Sequence, residues 1–331
     1  MRPFQFDAAS DPAAATEAAR GQNAAYLAGG TTLIDLMKLD VMRPERVIDI
    51  NGLSRGFGAI TAAANGLRLG AMVRMADAAE HPAIKRDYPV IADALALAAS
   101  PQLRNMASLG GNVLQRTRCM YFRDTSWSAC NKRNPGSGCA ALDGVNRKHA
   151  VLGVSEHCIA TYPGDFAQAL IALDATVEIA RPGGGTRTVR FEALHRAPGD
   201  TPQRETNLEP GELITGFFVP AGAWTRRSLY LKIRDRESYE FALAAAAVAL
   251  DLDGDTVRTA RIALGGVATK PWRTREAEAA LTGKPLTETQ AEAAAWAAYA
   301  DATPRDGNRY KVELGRRTLV RALLQAATMK V

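Results

Sequence analysis

Apolar and polar positions change period several times along the chain, and the changes predict where strands give way to helices. Gln22 to Ala28 (QNAAYLA) predicts a short strand, Gly29-Gly30 a turn, and Thr32-Leu33-Ile34-Asp35 a capping box that opens a helix carrying Leu36 and Leu39. Arg46 to Ile50 (RVIDI) predicts a second strand, so the chain begins with a βαβ-like unit. LRLGAMV (67–73) then reads as strand, MADAAEHPAIKRD (75–87) as helix, and an alanine- and leucine-rich stretch up to Ser100 as a further helix, which Pro101 breaks. His149 to Ile159, Ala175 to Ala180, Thr186 to Phe191 and Ile214 to Val219 read as strands, with the proline- and glycine-rich stretch Ala197 to Gly211 as a surface loop.

Beyond Pro220 the pattern changes, and a domain boundary is expected near residues 220 to 226. Ser228 to Ile233 reads as strand. Helix propensity favours a helix for the alanine run in Phe241 to Leu252, but the Asp253-Gly254 turn between two similar apolar runs predicts a hairpin with Thr256 to Gly265. Two helical segments follow, the last ending in RRTLVRALLQAA. No fixed-period repeat, heptad seam or low-complexity tail is evident. The pattern is α+β, divided as residues 1–221 and 222–331.

Composition narrows the class. A chain of 331 residues with 47% hydrophobic content buries a core without disulfide staples. No apolar stretch has the length of a membrane span, and MRPFQFDAAS lacks a basic start followed by an apolar run. No membrane insertion and no signal peptide of its own are therefore expected, and the four cysteines are expected to be reduced. The net charge of +6 raises the question of nucleic acid. Its distribution answers: Gln115 to Ala150 holds seven basic residues against Asp124 and Asp143, a local balance of 7 − 2 = +5. Apart from Tyr121, Phe122 and Trp127 this stretch has few rings for base stacking, so no nucleic-acid partner is expected.

Two glycine pairs are candidate ligand loops. LAGGTTLIDL (27–36) places Gly29-Gly30 where a strand meets a helix start, and backbone amides there suit a phosphate. It has neither the third glycine of a dinucleotide fingerprint nor the Gly-Lys-Ser/Thr of a Walker loop, and an ordinary tight turn has the same pattern. ASLGGN (107–112) offers Ser108 and Asn112 as hydrogen-bonding side chains and Gly110-Gly111 as further amides toward an anion. Two such loops fit the paired phosphates of a dinucleotide.

The cysteines cluster more tightly. Cys119, Cys130, Cys139 and Cys158 follow the spacing C-x10-C-x8-C-x18-C. A structural zinc site usually has a short C-x2-4-C knuckle, which is absent. Disulfides are disfavoured without an export signal. An iron–sulfur cluster tolerates long irregular spacing, and the surrounding +5 would offset its negative charge. Iron–sulfur, zinc and unpaired or bridged thiols all stay open on spacing alone. His149 and His157 could replace a thiol, with surface or packing roles expected for both.

YLAGGTTLIDLMKLDVMRPERVIDI, QLRNMASLGGNVLQRTRC, NPGSGCAA, RKHAVLGVSEHCIATYPGD and LYLKIRDRESYEFALAAAAVAL together resemble the FAD-binding medium subunits of molybdenum hydroxylases. The resemblance spans nearly the whole chain. Its cysteine insertion is similar to that of the flavin and [4Fe–4S] subunit of bacterial periplasmic aldehyde oxidoreductases; most xanthine dehydrogenase-like flavin subunits lack it, and the 4-hydroxybenzoyl-CoA reductase flavin subunit has a comparable loop.

The resemblance implies a two-subdomain FAD-binding fold of the PCMH/vanillyl-alcohol-oxidase type, with subdomains about 1–55 and 56–221 and a cluster loop about 115–158. A smaller α+β C-terminal domain of the CO dehydrogenase flavoprotein type would follow. It implies FAD contacts at Tyr26, Leu27, Ala28, Gly29, Gly30, Thr31, Thr32, Leu33 and Ile34 on one side and at Ser108, Gly110, Gly111 and Asn112 on the other. Asp165, Ile214 and Lys232 would add further flavin contacts. Without the resemblance, Asp165 reads as a helix N-cap, Lys232 as a solvated edge charge and Ile214 as core. Cys119, Cys130, Cys139 and Cys158 would ligate a [4Fe–4S] cluster.

The implied partners are a large molybdopterin-binding subunit and a small subunit with two [2Fe–2S] clusters, forming a heterotrimer that oxidises aldehydes. Electrons would pass to FAD and then to an external acceptor, in a complex exported to the periplasm on a partner's signal, with the cytoplasm as the alternative. A benzoyl-CoA-type reductase, with electrons running toward molybdenum, and a zinc-stabilised basic binding protein are the alternative functions.

Overall fold

In the computed structural model residues 1–21 and 23–331 are described; Gln22, the first residue of the first predicted strand, lies outside the described residues. β1 (Gln5–Ala8), β2 (Ala24–Leu27) and β3 (Arg46–Asp49) form a parallel sheet in the order β1-β3-β2. The βαβ unit is present, with helix Leu33–Lys38 between β2 and β3. β1 is additional, and its mostly exposed residues left no apolar alternation to detect. The predicted capping box does not form: Thr32 makes no side-chain cap, and Asp35 instead binds Arg118 and Arg123 of the cysteine loop at 3.0 and 2.9 Å.

β4 (Ile60–Ala63), β5 (Gly66–Gly70), β6 (Thr176–Ala180), β7 (Thr186–Arg190) and β8 (Leu213–Pro220) form an antiparallel sheet in the order β4-β5-β8-β6-β7. The helical stretch between β5 and β6 is more finely cut than its apolar pattern suggests. Prolines open the helices Pro82–Asp87, Pro89–Ala96 and Pro101–Met106 from within their first turns, where no N–H is required. Pro101 therefore starts a helix, capped by the Ser100 side chain accepting from Leu103 N at 3.3 Å, where a break was expected. The strand predicted at 149–159 is likewise absent. Its residues take different partners, Val151 and Leu152 donating to Val267 O while Ala150 donates to Ile159 O, so the segment folds back on itself.

β9 (Ser228–Ile233), β10 (Ala244–Asp253), β11 (Thr256–Gly265) and β12 (Trp272–Arg273) form the second antiparallel sheet, order β12-β11-β10-β9. The hairpin reading holds for the alanine run. Both faces of β10 are covered: Ala245, Ala247 and Ala249 pack with Leu95 and Phe166, while Ala244, Ala246, Val248 and Leu250 pack with Leu319 and Leu323. Alanine lets helices approach closely on both sides, and this tertiary burial overrides its helix propensity. Three helices follow where two were expected: Arg275–Leu281, Glu288–Ala298 and Tyr310–Ala327. No helix among the described residues is long and apolar enough to cross a membrane.

Candidate functional site

A cleft of about 500 Å³, within the size range of small-molecule sites, opens where the loop after β2, the start of the short helix Leu109–Val113 with its N-cap Ser108, and the start of β8 converge. Tyr26, Ala28, Gly29, Gly30, Thr31, Thr32, Leu33, Ser108, Gly110, Gly111 and Ile214 line it. Leu27, Ile34, Asn112, Asp165 and Lys232 do not. Leu27 packs beside Leu33 and Val47, Ile34 is exposed, and Asn112 donates from Nδ2 to Met75 Sδ at 3.3 Å. The buried Asn112 Oδ1 has no partner among the described residues.

The two glycine loops touch. A Cβ built on Gly29 would stand 2.0 Å from Met106 O and 3.0 Å from Ala107 Cα, so only glycine permits this approach. Asn51 and Arg74, which no motif pointed to, hold the contact. Asn51 Nδ2 donates to Ala28 O at 3.0 Å, and Arg74 donates to Asn51 Oδ1 at 3.1 Å and to Met106 O.

The loops differ in what they offer a phosphate. The amides of Gly29 to Thr32 have no acceptor among the described residues. In the second loop, Gly110 N donates to Ala71 O at 2.8 Å and Gly111 N to Ser108 Oγ at 3.2 Å, so the expected second set of amides is already used. That side contributes the Ser108 hydroxyl proton and, through its glycines, close approach.

The far wall carries charge. Glu212 accepts from Arg187 through both oxygens at 2.6 Å and from Glu209 N at 2.9 Å. Burial works against its ionisation, but Arg187 and the Glu209 amide prevail and hold the carboxyl below its ordinary value. Tyr26 OH donates to Gly211 O at 2.8 Å, fastening the loop Ala197 to Gly211 over the cleft. Arg116 and Glu205 also line this wall, 3.0 Å apart.

Asp165 and Lys232 meet each other. Lys232 Nζ lies 2.8 Å from Asp165 Oδ2 and 3.0 Å from Leu97 O, and Tyr230 OH donates to Asp165 Oδ1 at 2.8 Å. Asp165 sits at the start of helix Phe166–Ala172 without capping it, and Lys232 is buried, so neither the cap nor the solvated edge charge is realised. The pair joins the helix to β9 across the two halves of the chain.

All four cysteines line one small enclosed pocket. Cys130 and Cys139 face each other across an antiparallel bridge, with Gly136 and Gly138 at φ +85° and +91° making the turn. Cys119 precedes the short helix Met120–Arg123, and Ala160 N donates to Cys158 Sγ at 3.4 Å. Burial pushes the Cys119 thiol up to about 12 and the Cys158 thiol up to about 11. His149 Nε2 lies 3.1 Å from Cys119 Sγ, whereas His157 is exposed. Among the described residues no three His, Cys, Asp or Glu side chains stand close enough to hold a single metal ion.

The local charge excess is largely matched once the chain is folded. Arg118 and Arg123 bind Asp35, Arg116 and Lys132 bind Glu205, Arg147 binds Asp235, and Lys148 reaches Asp235 and Glu240. Arg133 is spent on the carbonyls of Tyr121 and Phe122 at 2.7 and 2.8 Å. A count along the sequence omits the acids that folding brings to these bases, so much of the +5 is paired; Lys132 and His157 line the cysteine pocket.

Residues 2–222 match the family described as FAD binding domain in molybdopterin dehydrogenase, and residues 229–331 the CO dehydrogenase flavoprotein C-terminal domain. The chain is 47% identical to the aldehyde oxidoreductase FAD-binding subunit PaoB of Escherichia coli (strain K12), over 98% of this chain and 99% of that one. It is 28% identical to the glyceraldehyde dehydrogenase medium chain of Sulfolobus acidocaldarius, covering 80% and 76%. Among solved structures, carbon monoxide dehydrogenase from Hydrogenophaga pseudoflava matches with TM-score 0.75 and 28% identity, over 98% of this chain and 97% of that one.

Proposed function

The chain belongs to the FAD-binding medium subunits of the molybdenum hydroxylases, and from that premise we propose that it is the electron-transfer flavoprotein of an aldehyde oxidoreductase. In this reading a large molybdopterin-binding subunit oxidises the aldehyde, and a small subunit passes electrons through its [2Fe–2S] clusters. FAD, when bound, exchanges electrons singly with iron–sulfur centres and in pairs with an external acceptor.

The chain's own residues bind and orient. The free amides of Gly29 to Thr32 take the pyrophosphate, Ser108 donates from the opposite wall, and Ile214 supplies apolar surface. The observation that carries the reading is the cleft itself: two glycine loops in backbone contact, with unused amides on one side only.

We extend the reading to a [4Fe–4S] cluster held by Cys119, Cys130, Cys139 and Cys158. Zinc takes thiolates at about 2.3 Å, which requires sulfurs closely gathered around one point. Four cysteines brought from distant points of the chain to line one enclosed pocket are the donor set that a [4Fe–4S] cluster takes.

The test is an anaerobic ultraviolet–visible spectrum with iron and acid-labile sulfide analysis, on wild type and Cys139→Ser. Flavin bands with about four irons and four sulfides per chain, the iron lost in the variant, are expected. A colourless chain with stoichiometric zinc would overturn both cofactor assignments. Flavin without iron in the wild type would remove the cluster and leave the flavin subunit standing.

A further inference from the structure

Between the cleft and the cysteine pocket lies a third cavity of about 30 Å³, room for one or two waters. Its wall includes Glu205 from the cleft side and Lys132 and Cys158 from the cysteine side. Glu205 also lines the cleft, and Lys132 also lines the cysteine pocket, so one ion pair spans the partition between the two sites.

The pair is fixed in place. Lys132 Nζ lies 2.7 Å from Glu205 Oε1 and donates to Pro202 O at 2.9 Å, and Arg116 Nε donates to Glu205 Oε2 at 3.0 Å. The Lys132 side chain is 10% exposed and the Glu205 side chain 25%, the latter at cavity walls. Arg116 in turn stacks on the Phe122 ring, its guanidinium carbon 4.6 Å from the ring centroid. Burial opposes ionisation of Glu205, but Arg116 and Lys132 outweigh it and hold the carboxyl below its ordinary value.

The geometry points to Glu205, a residue of the cleft wall, as tuning the reduction equilibrium of the cysteine-bound cluster through Lys132; this rests on the cluster reading above. Reduction adds one electron to the cluster and no bond is made or broken. A positive charge nearby favours the reduced form, and removing that charge disfavours it. Arg116, Lys132 and Glu205 together carry +1. Lys132→Met lowers that to zero, and Glu205→Gln raises it to +2. Both substitutions break the same ion pair, so a merely structural role would move the cluster the same way in each. An electrostatic role moves it in opposite directions.

The experiment is a mediated redox titration of the full chain loaded with FAD and iron, followed by electron paramagnetic resonance of the reduced cluster. For a unit charge a few ångströms away in a partly buried site, the reduction constant changes by about tenfold, about 59 mV for a one-electron couple. The midpoint is expected to fall in Lys132→Met, rise in Glu205→Gln and stay within threefold of wild type in Lys132→Arg. Shifts of the same sign, or none beyond threefold in either variant, overturn the proposal. Loss of iron in either variant makes the pair structural and overturns the proposal too. A wild-type chain without iron instead defeats the cluster reading on which the proposal stands.

Discussion

Gly29→Ala tests whether contact between the two glycine loops is what shapes the flavin site. The new methyl would lie 2.0 Å from Met106 O and 2.7 Å from its carbonyl carbon, both backbone atoms that no rotamer change can move. Even a separation of 3.0 Å, below which real Cβ atoms essentially never fall, needs the loops to part by 3.0 − 2.0 = 1.0 Å. Hydrogen bonds from N–H to oxygen occupy a window of about 2.7–3.2 Å, so a ligand gripped from both sides loses its bonds to one of them. One or two bonds to a charged phosphate at about 1.5–3 kcal/mol each amount to about 1.5–6 kcal/mol, or about tenfold to about 10⁴-fold in FAD affinity. The assay is a titration of FAD into flavin-free chain, read by flavin fluorescence quenching, with Tm measured alongside. Gly56→Ala is the control, because its methyl meets nothing within 4 Å and Gly56 does not line the cleft, and a change below about twofold is expected. Gly29→Ala binding FAD within threefold of wild type at an unchanged Tm would refute the reasoning.

Other consequences follow from buried charges. Lys232→Met strands Asp165 in the interior and should cost about 3–5 kcal/mol in urea unfolding, while adding Asp165→Leu should recover most of the loss; equal destabilisation of single and double variants would contradict this. Lys311 is fully buried and donates to the carbonyls of Lys148, His149 and Gly266, so Lys311→Met should destabilise by several kcal/mol, at about 1–3 kcal/mol for each unsatisfied group; an unchanged urea midpoint would show those carbonyls to be solvated. Glu212 has its carboxyl held below the ordinary 4.5, so its contribution is complete above about pH 4.5 and disappears as pH falls through the lowered value. Glu212→Gln should therefore flatten the fall of Tm between pH 5 and pH 3, and an equally steep fall in the variant would exclude that carboxylate as its source.

Much of the fold could be read from period and turn chemistry, and the misses share physical causes. The hairpin in the alanine run was legible because Gly254, at φ +61°, fixes a turn whatever its flanks prefer, although the two turn residues are Gly254-Asp255, one place on from the pair read in the sequence. β1 was not, since its exposed residues show no alternation, and 149–159 was not, since apolar content alone does not say that its amides go to different partners. Within the site, the glycine pairs announced themselves through residue type. Their division of labour did not, because whether Gly110 N is free depends on Ala71 O, distant in sequence. Asn51 and Arg74 carry no motif and act through backbone carbonyls, which any residue could supply.

The charge count shows where sequence arithmetic stops and what folding adds. The +5 stretch could in principle be a mobile cationic loop, but its bases are tied down on three sides. Arg118 and Arg123 reach Asp35, on the helix that starts at the cleft; Arg116 and Lys132 reach Glu205, on the cleft wall; Arg147 and Lys148 reach Asp235 and Glu240, beyond β9. Exposed pairs of this kind contribute little each, about 0–1 kcal/mol, so they do not explain why the insertion folds. They do fix its register, since displacing it by one side chain would uncover several pairs at once, including the less exposed Lys132–Glu205 bridge. The cysteine pocket is thereby held at a constant place relative to the cleft.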